Sequence, residues 1–328
     1  MSASGEDDLI ARYFKPLATD PGTFGLSDDA AVLASSGEDI VVTVDAVVEG
    51  VHFLSSDPPD TLARKALRVN LSDLAAKGAE PAGFVLTLAL RDVQESWLAP
   101  FAKALGEDAA QFKCPLLGGD TVSTPGPLSI SITAFGRVPK GRMVRRAGAR
   151  PGDLVMVTGT IGDAALGLDI LRGGEIAQAM ANDAAGMAAL IDRYRVPQPR
   201  NVLALAVREY ANAAMDVSDG LAGDLTKLCR VSGVSADVRL ADVPLSAQAR
   251  DLVVKGVAGI ERLIAGGDDY ELLCSVPPAA AERFAAAASA AGTAATVIGA
   301  FRAGGEPPRF LNASGQPVAL KRLSYSHF

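Results

Sequence analysis

The chain has 328 residues, of which 49% are hydrophobic and only 5% aromatic, and its net charge is −7. Because a single hydrophobic core stops growing efficiently beyond roughly 250–300 residues, this length predicts two domains. The acidic charge argues against nucleic-acid binding, which needs clustered Lys and Arg, but a small phosphorylated ligand held through a metal ion is compatible with it.

Cysteine usage and the lack of long apolar runs indicate the compartment. Cys114, Cys229 and Cys274 are far apart and odd in number, and no C-x-x-C pair occurs, which predicts a reducing environment. The first residues are acidic and lack the basic-then-apolar order of a secretory signal. No apolar stretch approaches the ~20 residues that span a bilayer. We therefore expect a soluble cytoplasmic protein with no membrane and no nucleic-acid partner.

The first half of the chain is predicted to alternate strands and helices. β-Branched residues predict a strand over 40–48, and apolar residues spaced by three or four predict a helix over 58–78. Further elements are expected as a short helix at 6–17, strands at 83–90, 115–117 and 128–138, and a helix at 95–112. The alternating strand 128–138 has one buried face, and one edge of its sheet is expected to serve an interface.

A segment rich in Gly, Pro and basic residues, 139–152, separates two differently patterned halves. It predicts an N-terminal domain of residues 1–147 and a C-terminal domain of residues 148–328. The second half is expected to contain strands at 153–158, 213–217, 234–240, 271–276 and 294–300, and helices at 162–171, 184–194, 201–211, 221–230, 246–255 and 278–291. The predicted fold class is α+β, a mixed α/β protein of two domains.

Acidic residues recur where apolar runs end. The pair Asp28-Asp29 before an apolar run is more often a turn or a helix cap than a ligand, and adjacent carboxylates diverge. Asp45 lies inside a β-branched run, where a charge is disfavoured unless it is compensated, which favours a functional role. Asp73 has Leu and Ala neighbours on the predicted helix 58–78, so it either caps a neighbouring helix or binds a ligand.

Three motifs combine glycines with acids. Gly118-Gly119-Asp120-Thr121 is expected as a turn in which glycines let the main chain approach a phosphate, although this motif is common in plain turns. Asp216 to Gly220 lies at a predicted strand-to-helix junction that favours anions, where Ser218 or Asp219 alternatively acts only as a cap. Gly266 to Leu272 is a third acidic cluster, suited to a cationic ligand.

Oxygen donors dominate the candidate ligands in these motifs, because the chain has two histidines and no paired cysteines. Such a set suits Mg²⁺ rather than zinc, and converging acids require a cation when no run of Lys or Arg balances them. The Walker A, dinucleotide-binding and H-R-D kinase signatures are absent from the sequence. We expect Mg²⁺ that carries the phosphates of a nucleotide on another scaffold. A lone histidine such as His52 is more often structural than catalytic.

Six segments carry a resemblance that covers nearly the whole chain. They are Asp28-Asp29-Ala30, Asp45 to Phe53, Val69 to Ala76, Gly118 to Thr121, Asp216 to Leu221 and Gly266 to Leu272. In this order they resemble the thiamine-monophosphate kinases, of the aminoimidazole-ribonucleotide-synthetase-like superfamily. The resemblance implies transfer of the γ-phosphoryl group of ATP onto thiamine monophosphate, assisted by several Mg²⁺ ions. It also implies a homodimer in which strands of the N-terminal domains join across the two-fold axis, and a sandwich-like α/β C-terminal domain.

The resemblance further implies roles for individual residues. Mg²⁺ ligands are expected at Asp29, Thr43, Val44 (through its carbonyl), Asp45, Asp73, Asp120, Asp216 and Asp219. ATP is expected to contact Gly119, Asp120, Arg146 and Ser218. His52 and Asp268 are expected near thiamine monophosphate, with Tyr325 the nearest substitute for an aromatic residue that relatives carry where this chain has Lys321-Arg322. No general base is expected, because the acceptor phosphate is already ionised.

Two alternatives stay open. One is another ATP-dependent synthetase of the superfamily, making aminoimidazole ribonucleotide or selenophosphate, although the latter usually needs an N-terminal reactive cysteine and nothing before Cys114 fits. The other is a non-catalytic Mg-nucleotide sensor. Arg146 and the full set of acids argue against the sensor, which has no need of charges that stabilise a transferring group.

Overall fold

The computed structural model describes residues 10–20, 37–320 and 323–324. The chain divides into two compact units, one with the described residues up to Leu74 and Ala79–Met143, the other with Ala75–Gly78 and the described residues from Val144 onward. The change from one unit to the other after Met143 falls inside the predicted segment 139–152. Residues 75–78 belong to the second unit although their neighbours on both sides belong to the first.

A four-stranded sheet forms the first unit in the described part of the chain. Its strands are β1 (Asp39–Val48), β2 (Glu80–Leu90), β3 (Leu116–Ser123) and β4 (Ser129–Val138), in the order β1-β4-β2-β3. Strand β4 runs antiparallel to β1 and β2, whereas β2 and β3 are parallel and joined through helix α2 (Glu95–Gln111). Parallel neighbours need such a crossover. Helix α1 (Pro59–Ala76) connects β1 to β2.

The core of this unit lies on one face of the sheet. Alternate strand residues such as Ile130 and Ile132 pack with helix residues such as Leu67, Leu71 and Phe101. The predicted alternation of β4 is confirmed, since every second residue along it is buried. Both helices therefore cover the same face, and β1 is left as an edge strand.

Strand β3 corrects one expectation. Gly118 to Thr121 is not a turn after a short strand, because β3 continues through this motif to Ser123. A side chain at Gly119 would place its Cβ 2.0 Å from the carbonyl oxygen of Leu86 on the neighbouring strand. The glycine is therefore required by the close approach of β2 and β3.

The start of the described chain also differs from the expected amphipathic helix at 6–17. Ile10–Phe14 forms a π-helix and Lys15–Leu17 a 3₁₀ turn, while residues 6–9 lie outside the described residues. Pro16 lacks the N–H that a regular α-helix would need at this position.

The described part of the second unit contains a six-stranded sheet with helices on both faces. Its strands are β5 (Leu154–Thr158), β6 (Ala213–Asp216), β7 (Val234–Arg239), β8 (Leu272–Val276), β9 (Ala295–Ala303) and β10 (Arg309–Leu311), in the order β10-β7-β9-β5-β8-β6. Its helices are α3 (Asp163–Leu171), α4 (Glu175–Ala179), α5 (Ala184–Arg195), α6 (Ala204–Tyr210), α7 (Leu221–Ser232), α8 (Ala247–Val254), α9 (Ile260–Ile264) and α10 (Pro278–Ala290). The neighbouring strands are antiparallel except for β10 and β7.

Successive residues of the central strands enter two different cores. Val155 and Val157 pack on the face covered by α7, whereas Met156 packs on the face covered by α6 and α10. A sheet buried on both faces gives the sandwich-like α/β arrangement that was predicted, and the mixed α/β fold class is confirmed. Strand β10 and the short helices α4 and α9 were not predicted. No helix in the described residues is long and apolar enough to cross a membrane.

Candidate active site

The first unit brings together predicted ligands on β1 and α1. Thr43 and Asp45 occupy alternate positions of β1 on its partly buried face. The Thr43 hydroxyl donates to Oδ2 of Asp73 at 2.5 Å, and the Asp45 N–H donates to Oδ1 of Asn70 at 3.0 Å. Asn70 is fully buried, and its amide nitrogen donates to the carbonyl of Ala66. Hydrogen bonds from predicted ligands on β1 to Asp73 and Asn70 therefore fix the strand against the helix.

These oxygen donors suit a hard divalent cation. Within the described residues, no group of three or more His, Cys, Asp or Glu is placed to hold a metal ion by itself. Mg²⁺ is usually held by one or two carboxylates together with waters and substrate phosphates. Thr43, Asp45 and Asp73 therefore fit an ion that arrives with a nucleotide. Asp29, also predicted as a ligand, lies outside the described residues.

Within one copy of the first unit, Asp120 does not lie with Thr43, Asp45 and Asp73. The strand register aligns Asp45 with Gly119, through Ile132 on β4 and Leu86 on β2. Because side chains alternate along a strand, Asp120 projects from the face opposite Asp45. It is exposed there, on the second edge strand of the sheet.

His52 lies in the turn that follows β1. Its Nδ1 accepts the N–H of Val48 at 3.0 Å, so the neutral ring carries its proton on Nε2. The carbonyl of His52 accepts from Nζ of Lys65 at 2.9 Å, and Lys65 is only 2% exposed. A buried cation thus supports the turn that presents the imidazole.

Two loops of the second unit are joined by main-chain hydrogen bonds. The N–H of Asp268 donates to the carbonyl of Ser218, and the N–H of Tyr270 donates to the carbonyl of Val217, both at 2.8 Å. The N–H of Val217 donates in turn to the carbonyl of Glu271 at 2.8 Å. The residues predicted for ATP and for the substrate, Ser218 and Asp268, therefore lie on paired segments.

The second of these loops is strained and anchored from inside. Asp268 and Tyr270 have φ angles of 70° and 51°, in the left-handed region that non-glycine residues rarely adopt. Between them, Asp269 is buried and accepts the N–H of Gly162 through both oxygens, at 3.0 and 2.9 Å. Burial raises the pKa of Asp269 well above its usual value. Asp268 is the partly exposed acid of the motif.

Glu271 provides a further anchor for this loop. Its carboxylate is fully buried and pairs with Arg193 at 2.9 Å and with Arg200. It also accepts from the hydroxyl of Thr158 at 2.7 Å. Glu271 is thus committed to internal contacts and is unsuited to bind a ligand.

Asp219 belongs to a small charged network at the start of α7. Oδ2 of the fully buried Asp224 accepts the N–H groups of Ser218 and Asp219 at 3.0 and 2.9 Å. Nζ of Lys227 contacts Oδ1 of Asp224 at 2.8 Å and the carboxylate of Asp219. Burial raises the pKa of Asp224. Burial alone would lower the pKa of Lys227, but its hydrogen bonds with Asp219 and Asp224 raise it.

The other end of α7 holds the segment that contains Arg146. The hydroxyl of Ser232 accepts the N–H groups of Gly148 and Ala149 at 3.2 and 3.3 Å and lies 3.4 Å from the carbonyl of Arg146. Arg146 itself is exposed. One helix therefore positions Ser218 and Asp219 at its start and the main chain of Arg146 at its end.

The remaining predicted residues take separate positions. Asp216 is buried at the end of β6, two residues before Ser218. Val44 points its side chain to the outer face of the first sheet and is 61% exposed. Tyr325 and Lys321-Arg322 lie outside the described residues.

Sequence reasoning missed the charged residues that support the site. Lys65 follows Leu62 by three positions and precedes Val69 by four, so it lies on the apolar face of α1. Asp224 has the same relation to Leu221 and Leu228 on α7. A charge on an apolar helical face is the signal that would have identified both.

Comparisons with known proteins give a consistent result. Residues 27–138 match the N-terminal domain, and residues 150–309 the C-terminal domain, of the family described as AIR synthase related protein. The thiamine-monophosphate kinase of Caulobacter vibrioides is 45% identical over 98% of this chain and 90% of its own length.

Two solved structures extend the similarity to the fold. Thiamine-monophosphate kinase from Stenotrophomonas maltophilia K279a shares 36% identity, with a TM-score of 0.82 over 95% of this chain and 96% of that one. AaThiL complexed with AMPPCP and TMP shares 32% identity, with a TM-score of 0.76 over 94% of this chain and 97% of that one. Both matches run through the two units described above.

Proposed function

The chain belongs to the thiamine-monophosphate kinase family, and on that premise we propose that it transfers the γ-phosphoryl group of ATP directly onto the phosphate of thiamine monophosphate. The products are thiamine diphosphate and ADP. The observation that carries the proposal is the hydrogen bond between Thr43 and Asp73, which with Asp45 on the same face of β1 form an oxygen-only set in a chain 45% identical to such a kinase. The three free, buried cysteines suit a reducing compartment such as the cytoplasm.

Charge repulsion is the main obstacle to this reaction, because both reactants are phosphates. When bound, Mg²⁺ offsets this negative charge and helps to align the phosphates for in-line attack. Thr43, Asp45 and Asp73 would hold an ion in the first unit, with the carbonyl of Val44 as a further donor. Asp216 and Asp219 would hold an ion in the second unit. Asp29 and Asp120 complete the proposed set of several Mg²⁺ sites.

The nucleotide would be held by residues that the fold already positions. Arg146 offers a guanidinium that pairs with phosphate oxygens, and Ser232 holds its main chain. The N–H of Ser218 is bonded to Asp224, so its hydroxyl is the group available to a phosphate. Gly119 and Asp120 on β3 are the remaining proposed ATP contacts.

The acceptor would be recognised by groups of opposite charge. His52 is oriented with Nε2–H as its donor, which suits the phosphate of thiamine monophosphate. Asp268 is a carboxylate on a strained loop and suits the thiazolium cation. Tyr325 is proposed as an aromatic contact. The acceptor phosphate is already ionised, so the mechanism needs no general base.

We also propose a homodimer in which strands of the N-terminal domains join across the two-fold axis, so that the exposed edge and outer face of the first sheet are covered. Strand β1 is an edge strand whose Val42 and Val44 are 57% and 61% exposed, and Val122 on the other edge strand is 43% exposed. A long apolar edge is normally covered in a soluble protein. The Val42→Lys variant should sediment as a monomer, whereas Val254→Lys, at an exposed position of the second unit, should keep twice the chain mass.

The reaction is tested with purified protein, ATP, Mg²⁺ and thiamine monophosphate. We expect ADP and thiamine diphosphate in equal amounts, and no product after chelation of divalent cations. Tight ATP binding without thiamine diphosphate would instead support a nucleotide sensor. ADP release only with formylglycinamidine ribonucleotide would support a synthetase of the same superfamily.

Direct transfer has its own test. ATP made chiral at the γ-phosphorus should give thiamine diphosphate with inverted configuration, because a single in-line displacement inverts the phosphorus once. Retention would require a phosphorylated enzyme intermediate and would contradict the proposed mechanism.

A further inference from the structure

We infer that Lys227 is an internal counter-cation of Asp219 that competes with a divalent cation for this carboxylate. The inference deepens the proposed function and rests on the proposed role of Asp219 as a cation ligand. It assigns to Lys227 a positioning role, because its ammonium group holds the Asp219 side chain until another cation replaces it.

The two carboxylates that Lys227 contacts differ in accessibility. Asp224 has a side chain with 0% exposure, and its second oxygen already accepts two main-chain N–H groups. The Asp219 side chain is 34% exposed, and that of Lys227 is 31% exposed. Breaking a buried ion pair costs far more than breaking a partly exposed one. Lys227 can therefore leave Asp219 while it keeps Asp224.

Exchange at Asp219 follows from simple electrostatics. An ammonium group and a divalent ion repel each other when they share one carboxylate. The flexible four-carbon stem of Lys227 lets its head group move while the helix stays in place. A divalent ion must therefore displace Lys227 from Asp219, which weakens cation binding when no polyphosphate is present. A nucleotide phosphate offsets this cost, because the released ammonium group can pair with it.

Direct cation binding tests this inference without measuring catalysis. Mn²⁺ serves as the probe in place of Mg²⁺, and electron paramagnetic resonance reports free Mn²⁺ in the absence of nucleotide. We expect Lys227→Gln to bind Mn²⁺ roughly three- to fivefold more tightly than the unchanged protein. Lys227→Arg should restore the weaker affinity. Lys255→Gln, which removes an exposed pair with Asp251, should have no effect.

Two further variants locate the effect. In an Asp219→Asn background, Lys227→Gln should no longer tighten Mn²⁺ binding. Lys227→Gln leaves the buried Asp224 without its cation. The double variant Asp224→Asn with Lys227→Gln has no such unpaired buried charge. It should bind Mn²⁺ more tightly than the unchanged protein, by the same factor as Lys227→Gln alone. Equal affinity in both Lys227→Gln forms and the unchanged protein, or a gain that persists without Asp219, would overturn the inference. Product formation by the unchanged enzyme is scored separately and tests the proposed function.

Discussion

The two units present their candidate ligands in different ways. In the first, Thr43 and Asp73 bond directly to each other, so residues predicted to bind the ion also fix the strand against the helix. In the second, Ser218, Asp219 and Asp268 lie on loops that are held by other residues, chiefly buried acids. The comparison separates two purposes of carboxylates in this protein: the partly exposed Asp73, Asp219 and Asp268 are candidate ligands, whereas buried acids such as Asp224 and Asp269 anchor loops.

The largest expected effect distinguishes ligands from anchors. Asp73→Asn and Asp219→Asn should each lower kcat by about two to three orders of magnitude, because an amide keeps the hydrogen bonds but loses the charge that a divalent ion requires. Steady-state kinetics under saturating Mg²⁺ would measure this. The free energy of unfolding should change little. Asp251→Asn, in an exposed pair on α8, is the matched control, and near-normal rates in the two ligand variants would contradict their roles.

The next effect is on stability and concerns the anchors. Glu271→Gln should lower the free energy of unfolding by about 3 kcal/mol, because it removes the buried charge that Arg193 and Arg200 share. Urea unfolding would measure the loss. The surface control Asp237→Asn, which pairs with two partly exposed arginines, should cost less than about 1 kcal/mol. Equal losses in both variants would mean that Glu271 is not an anchor.

The sequence predicted the helices and strands better than it predicted how the strands are aligned with one another. Asp45 was recognisable because its charge interrupts a β-branched run, and the strand-to-helix junction at Asp216 to Gly220 was identified from local pattern. The position of Asp120 could not be identified in this way, because the face of the sheet on which a side chain emerges depends on the register between strands. A one-residue difference separates Gly119, aligned with Asp45, from Asp120 on the other face.

The strained loop shows a second limit. Nothing local indicates that Asp268 and Tyr270 adopt positive φ angles, since glycine is the usual residue there. The conformation is imposed by contacts distant in sequence, from Asp269 to Gly162 and from Glu271 to the two arginines. The role of each acid in the Gly266 to Leu272 motif can be assigned only when the structure shows which of the side chains point inward.

A smaller effect tests whether α7 positions both of its ends. Ser232→Ala should raise the KM for ATP roughly fivefold with little change in kcat, because hydrogen bonds that hold the Arg146 segment are lost. Isothermal titration with a non-hydrolysable ATP analogue would show the same loss of affinity. Ser232→Thr keeps the hydroxyl and should restore binding. An unchanged KM in Ser232→Ala would confine this helix's positioning role to Ser218 and Asp219.

The smallest effect is on acid stability and concerns the turn that carries His52. Hydrogen bonding to Arg91 lowers the pKa of Glu49 to about 2, from an ordinary value of 4.5. A lowered pKa means that the unfolded chain takes up the proton first as the pH falls. The stability from Glu49 is therefore complete above about pH 4.5 and is lost as the pH falls toward 2. The melting temperature of the unchanged protein should fall more steeply across this range than that of Glu49→Gln, which lacks the titrating group. Parallel declines would mean that the acid sensitivity arises elsewhere in the protein.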